Sequence, residues 1–237
     1  MSNPGSFVPL PPLRLNAPVY GVLLTVTTLL ALIIVAHHPV ADLHDRAQGL
    51  QNLVAIGAVD RWVHGALIAI VLLWAVGFSG FAWRLGIEHP AVMAGWLAYI
   101  VGGVFVVLAG LIDGFIVPDL ADRLSDQVAH PAAYDLLALC GIANQALTKL
   151  GLVFMAVGIL MWGHALMHHR GLARLMALFA MLTGGVSAAF ILTSPERIDV
   201  HTLFWYLVGQ VVWNLSVAMW MVRGMKSQAA NTNGHKG

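Results

Sequence analysis

The chain has 237 residues, of which 59% are hydrophobic and only 10% are charged, and its mean hydropathy is +0.81. Soluble domains carry roughly 25% charged residues, so this composition excludes an ordinary water-soluble globular protein. The formal net charge of +1 gives no indication of a nucleic-acid partner. The single cysteine, Cys140, excludes an intramolecular disulfide and a cysteine-based zinc or iron–sulfur centre held by this chain alone.

Six apolar segments are long enough to cross a bilayer, since each crossing takes about 20 apolar residues. A helix satisfies every backbone hydrogen bond within itself, so we predict an all-α bundle of about six transmembrane helices. The bundle occupies residues 17–222, after an N-terminal segment 1–16 and before a tail 223–237 that is predicted to be disordered. The predicted spans are 17–36, 62–83, 92–117, 142–162, 172–192 and 202–222.

Two longer connections, residues 37–61 and 118–141, mix apolar and charged positions. This mixture permits short helices that lie on the membrane surface. In the second connection apolar residues recur every four positions opposite aspartates, which predicts a solvated helix that caps the bundle. The pattern consists of Leu120, Leu124 and Val128 opposite Asp119, Asp122 and Asp126.

The distribution of basic residues predicts the orientation of the bundle. Lysine and arginine are retained on the cytoplasmic side during insertion, and they are more numerous on the side that carries both termini. Acidic residues show the opposite pattern, since Glu88 alone lies on that side. We therefore predict a multi-pass protein of the cell inner membrane with both termini in the cytoplasm.

Ionisable residues within spans are costly and usually face the bundle interior. His37 and His38 end the first span, and His64 lies about one turn into the second. Asp113 lies about one turn before the outer end of the third span, and His201 opens the sixth. Four helices thus bring His or Asp to one level, which predicts a polar pocket that faces the periplasm.

The donors in this pocket are imidazole and carboxylate groups without thiolate, a set that suits zinc, iron, manganese or divalent copper. We predict that His38, His64, Asp113 and His201 are the metal ligands. Asp60 lies four residues before His64, on the same helical face, so it can orient the imidazole as a supporting group. His37 is assigned the same supporting role. The predicted function is to bind a transition metal, or to relay protons or a metal ion.

Two other functions remain open from the sequence. A b-type haem could be ligated axially by His64 with either His201 or His38, which would indicate an electron-transfer subunit. Alternatively, the polar residues only stabilise a non-catalytic assembly partner, with Asp113 paired to Lys149 or Arg61. The bilayer is the predicted partner, and a homo-oligomer or a larger membrane complex stays open.

A second histidine group, His164, His168 and His169, has the spacing HxxxHH. This spacing resembles one histidine box of the membrane desaturases and hydroxylases. Those enzymes need several such boxes to hold two irons, and the chain offers only His89 as another inner-side histidine. We therefore place this group near the lipid phosphates.

Overall fold

The computed structural model describes residues 17–38, 46–125, 131–193, 198 and 200–233. All regular secondary structure in these ranges is helical, as the hydropathy predicts. A five-residue π-helical turn, Ile112–Ile116, joins the third helix to the fourth. The α-helices are α1 (Ala17–Ala36), α2 (Arg46–Leu85), α3 (Pro90–Leu111), α4 (Val117–Leu124), α5 (Pro131–Leu166), α6 (Leu172–Thr193) and α7 (Val200–Asn233).

By length and hydropathy, six helical segments in the described part of the chain can cross a membrane, which confirms the predicted number. The third segment includes α3, the π turn and α4 as one continuous rod. Large apolar side chains such as Leu182 and Leu192 are exposed on the outside of the bundle, as expected for a surface in contact with lipid. The six segments are Ala17–Ala36, Gln48–Leu85, Pro90–Leu124, Tyr134–Leu166, Leu172–Thr193 and Leu203–Arg223.

Two exposed tryptophans on α2 indicate where the hydrocarbon layer begins and ends. Trp62 is 82% exposed and Trp83 is 59% exposed. Their separation along the helix is about 32 Å at 1.5 Å per residue, close to the roughly 30 Å of a hydrocarbon core. Tryptophan is enriched at both membrane interfaces. His64 therefore lies just inside the interface that Trp62 indicates.

The N-terminal ends of two helices differ from the predicted spans. The helix α2 begins at Arg46, and α5 begins at Pro131, so both extend well beyond the predicted starts at residues 62 and 142. Hydropathy detects only the strongly apolar part of a helix, whereas both extensions also contain polar and charged residues. The extension of α2 is partly buried, with Leu50 2% exposed, whereas in α5 Leu136 and Leu139 are 44% and 59% exposed. The predicted connections 37–61 and 118–141 are thus largely extensions of the spanning helices.

The predicted capping helix is present only in part. Residues 117–124 form α4, which continues the third span rather than lying as a separate segment. Asp126 and Val128 of the predicted pattern lie outside the described residues. The exposed Arg61 on α2 pairs with Asp119, an ion pair that joins α2 to α4. The outer extensions of the bundle therefore pack against one another.

The long helices are packed in the cyclic order α1, α2, α3, α5, α6, α7, with α7 also packed against α1. Aromatic side chains pack together inside the bundle, in the half that lies away from His64. The centroids of their rings lie 4.5 to 6.3 Å apart. No ionisable side chain is part of this cluster apart from one tyrosine. The cluster consists of Phe78, Phe81, Tyr99, Trp162 and Trp213.

A buried hydrogen-bond network joins three helices in the bundle. The amide nitrogen of Gln210 on α7 donates to Tyr99 Oη on α3 and to Asn214 Oδ1, at 3.1 and 2.8 Å. The amide nitrogen of Asn214 donates in turn to Thr28 Oγ1 on α1, at 3.0 Å. Such bonds hold helices together where apolar burial gives no driving force. Our sequence interpretation missed this network, although Gln210 and Asn214 are four residues apart in an otherwise apolar span.

Two terminal segments flank the predicted bundle. The N-terminal segment 1–16 lies outside the described residues, and α7 continues past residue 222 to Asn233. The domain boundaries, the disorder of the tail and the cytoplasmic position of both termini stay predictions.

Candidate metal centre

The first part of the site is a pair on α2 that the four-residue spacing brings to one face. His64 Nδ1 lies 3.0 Å from the backbone oxygen of Asp60 and 3.2 Å from Asp60 Oδ1. Both residues are 7% exposed. Because two oxygen acceptors face Nδ1, this nitrogen carries the hydrogen and donates it. His64 Nε2 points away from Asp60 and can hold either a proton or a metal ion.

The second part of the site comes from the end of α1. His38 Nε2 lies 3.5 Å from His64 Nε2 and 3.9 Å from Asp60 Oδ1. The two imidazole rings are perpendicular, with their centroids 4.9 Å apart. Two ring nitrogens therefore face one another at a distance that leaves room for a shared cation.

His37 lies outside this group. Its side chain is exposed, and its Nδ1 lies 2.8 Å from the backbone oxygen of Ile33 in the preceding turn of α1. Successive residues near a helix end point in directions about 100° apart, so only one of two adjacent histidines can face the bundle interior. In the structure His38 takes that position.

The third part of the site comes from the π turn. Asp113 Oδ2 lies 3.3 Å from His64 Nε2, and the Asp113 side chain is 44% exposed. The next residue, Gly114, packs directly on His64, since a Cβ atom at this position would overlap the imidazole. A π turn inserts an extra residue into a helix and is frequent at functional sites. Here the turn and the glycine bring α3 against α2 at the level of His64.

Asp113 does not pair with Arg61, which is one of the two structural partners that the sequence left open beside Lys149. Among the described residues Arg61 pairs with Asp119 instead, and the one ion pair found for Asp113 is the contact with His64. The polar group around His64 therefore contains two carboxylates and two imidazoles. A cation close to His64 Nε2 would offset the negative charge of these carboxylates in a medium of low dielectric constant.

The side chain of His201 lies outside the described side chains, although its backbone is at the start of α7. The segment just before it is fixed by Gln145 on α5. The Gln145 side chain accepts a hydrogen bond from Ile198 N at 2.9 Å and donates one to Ile198 O at 3.0 Å. These two bonds attach the start of α7 to α5, three residues before His201.

The geometry of the group suits a metal ion. His38, Asp60 and His64 each offer a ligand atom, and these atoms lie close enough together to hold one ion. Zinc–ligand bonds of 2.0 to 2.1 Å in a tetrahedron place ligand atoms about 3.3 Å apart. The separations from His64 Nε2 to Asp113 Oδ2 and to His38 Nε2, 3.3 and 3.5 Å, are close to this value.

A cavity of about 180 Å³ lies directly beside the group. His38, His64 and Asp113 line one end of it, and Asn144, Gln145 and Thr148 of α5 line one side. The rest of the wall is apolar. The sequence gave no indication of this space.

The cavity is small for a haem. Pockets for drug-sized ligands measure roughly 300 to 1,000 Å³, and a porphyrin has to lie between its two axial ligands. Asp113 Oδ2 lies 3.3 Å from His64 Nε2, in the space that a porphyrin bound to this nitrogen would need. The size of the cavity and the position of Asp113 favour a single ion over a haem.

In comparisons with protein-family models, curated proteins and solved structures, the chain has no match.

Proposed function

We propose that the protein binds a divalent transition-metal ion in its outer pocket. His38 Nε2, His64 Nε2 and the Asp113 carboxylate are the proposed ligands, and Asp60 orients His64 through Nδ1. One observation carries this proposal. His64 Nε2 faces a carboxylate oxygen at 3.3 Å and a second imidazole nitrogen at 3.5 Å, so a carboxylate and two imidazoles meet where a proton or a metal ion can bind.

His201 is the proposed fourth ligand. Its backbone lies in the first turn of α7, three residues after Ile198, which itself lines the cavity beside the metal group. A fourth ligand from the protein would close the site and favour a structural or storage role. If a solvent molecule takes that position instead, the site stays open for catalysis.

The donor set and the fold together narrow the role of the ion. Two imidazoles with a carboxylate suit zinc, iron, manganese or divalent copper. The aromatic cluster fills the half of the bundle that lies away from His64. It provides no chain of ionisable groups from the metal group toward the opposite face of the membrane. Binding at the outer face therefore accounts for the arrangement better than transport across the membrane.

Metal analysis tests the proposal. Protein purified without chelator should contain about one zinc ion per chain, or bind one on titration, because the site offers three or four ligands to a single ion. We expect His38→Ala to weaken zinc binding by about tenfold or more, as the loss of supporting groups alone costs 10- to 100-fold. His37→Ala is the matched control and should bind zinc as the native protein does.

Two outcomes would contradict metal binding. The first is the absence of stoichiometric zinc, iron, manganese and copper together with no saturable binding. The second is equal binding by His38→Ala and His37→Ala. A proton on His64 Nε2 would then be the cation between the carboxylates, and the polar group would stabilise a non-catalytic membrane partner.

We propose further that the pocket faces the periplasm, with both termini in the cytoplasm. Cys140 lies about 39 Å along α5 from Leu166, farther than the hydrocarbon core is thick, so we expect it outside the membrane on the pocket side. A membrane-impermeant maleimide on intact spheroplasts should label the native chain but not Cys140→Ser. An alkaline-phosphatase fusion after residue 126 should be active. Labelling only after lysis, with an inactive fusion, would reverse the orientation.

A further inference from the structure

The internal space below the metal group is longer than the first cavity alone. A second cavity of about 110 Å³ adjoins the first. Along α2 the lining residues run from His64 through Leu67 and Val71 to Trp74, about 15 Å of helix. The side chains that line both cavities are Val35, Leu67, Val71, Val106, Leu152 and Leu203.

The two ends of this space differ in polarity. The upper end carries His64, Asp113 and Asn144, whereas the shared wall is made of valine and leucine. At the lower end the cavity meets Tyr206 and Gln210. The amide nitrogen of Gln210 is already engaged with Tyr99 and Asn214. The space is thus polar at the metal end and apolar along its length.

Water is a poor occupant for the apolar part. A buried water needs two to four polar partners, and apolar cavities of about 150 Å³ stay dry and take up apolar molecules instead. Protein interiors are otherwise close-packed, with few voids larger than a water molecule. A space with this lining is therefore suited to a small apolar ligand.

Asn144 supplies the polar contact for a ligand. Its Oδ1 accepts a hydrogen bond from Thr148 Oγ1 at 3.4 Å. Its Nδ2 donates to no other residue that the structure describes, and Asn144 lines the cavity. An oxygen atom of a ligand at the upper end could accept this hydrogen bond.

We propose that this space binds a small uncharged amphiphile, a medium-chain alcohol or carbonyl compound, with its oxygen beside Asn144 and His64. The hydrocarbon chain lies against Val71, Val106 and Leu152. The inference goes beyond metal binding and does not depend on it, because the apolar wall that selects the chain lies below the metal group.

The probe for this proposal is an eight-carbon alkanol that carries a diazirine, applied to the purified full-length protein in detergent. Photolabelling should saturate and should modify peptides that contain Val71 or Val106. Unlabelled n-alkanols should compete about fourfold better for each added CH₂ group. The gain should stop once the chain is longer than the cavity.

Matched variants on one helix locate the site. Val71→Phe fills the space where the two cavities meet. We expect the unlabelled alkanols to bind this variant about tenfold more weakly or worse in the competition assay, as several methylene contacts are lost. Leu72→Phe enlarges a neighbouring side chain that is 56% exposed on the lipid side, and it should change nothing. Val106→Phe places the same phenyl group from α3 and replaces the first variant if that one does not fold.

Zinc content, measured on the same samples, separates this inference from the metal proposal. Saturable, competed labelling that Val71→Phe or Val106→Phe abolishes supports the amphiphile site, whether or not zinc is present. Labelling that does not saturate overturns the amphiphile site. Equal labelling in Val71→Phe and Leu72→Phe overturns it too, even if zinc is bound normally.

Discussion

His64→Ala should lower zinc affinity by more than about 100-fold, since changes to supporting groups around metal ligands already cost 10- to 100-fold. His64 contacts every other member of the group through its two ring nitrogens. Its removal takes away a ligand and leaves Asp60 and Asp113 without their imidazole partner. Isothermal titration with zinc measures the effect. His89→Ala removes an exposed histidine at the start of α3 and should bind zinc normally.

His64→Ala should also alter the pH dependence of zinc binding. Histidine ligands must be deprotonated to bind a metal, so zinc affinity falls as the pH is lowered. If two imidazoles bind the ion, binding at acid pH releases about two protons in the native protein and about one in His64→Ala. The logarithm of the zinc affinity should then fall with a slope of about two per pH unit in the native protein and about one in the variant. An identical slope in the two proteins would show that His64 is not a ligand.

Gly114→Ala should disturb the site from a position that donates no ligand. An added Cβ would overlap the Cβ and Cγ atoms of His64, and a residue fixed in a packed helix cannot move aside freely. We expect zinc affinity to fall about 10- to 100-fold, as for other supporting positions. Overpacking should also cost about 1 to 3 kcal/mol of stability.

Gly103→Ala is the matched control on the same helix. Its Cβ would lie 3.5 Å from a Val71 methyl group, an ordinary van der Waals contact. Thermal unfolding and zinc titration of both variants separate the local effect from a general cost of replacing glycine in α3. If Gly114→Ala bound zinc as tightly as Gly103→Ala, the close approach of the π turn to His64 would not determine the affinity.

Hydropathy located the membrane-spanning helices well where lipid surrounds them. The helix α1 has the predicted limits, and α6 ends one residue beyond the predicted end. The predictions were wrong at the outer starts of α2 and α5, which are longer than predicted. Burial of residues such as Leu50 stabilises the extension of α2, whereas Leu136 and Leu139 in the extension of α5 are exposed. A hydropathy window cannot detect this kind of burial.

The depth of the site residues also followed from the sequence. Counting residues at 1.5 Å each from the inner ends of the helices places His38, His64 and Asp113 at one level near the outer interface. The four-residue spacing likewise put Asp60 on the same face as His64. Regular helices have a fixed rise and a fixed rotation per residue, so depth and facing within one helix follow from counting.

Only the tertiary structure decided how separate helices are rotated toward one another. His37 and His38 have nearly the same depth, yet the structure turns one outward and the other toward His64. The π turn and Gly114 set the approach of Asp113. The sequence by itself determined an all-helical membrane bundle with ionisable groups at one depth, because hydropathy and helix rise are local. Which of these groups meet, and the cavity beside them, depend on packing between distant segments.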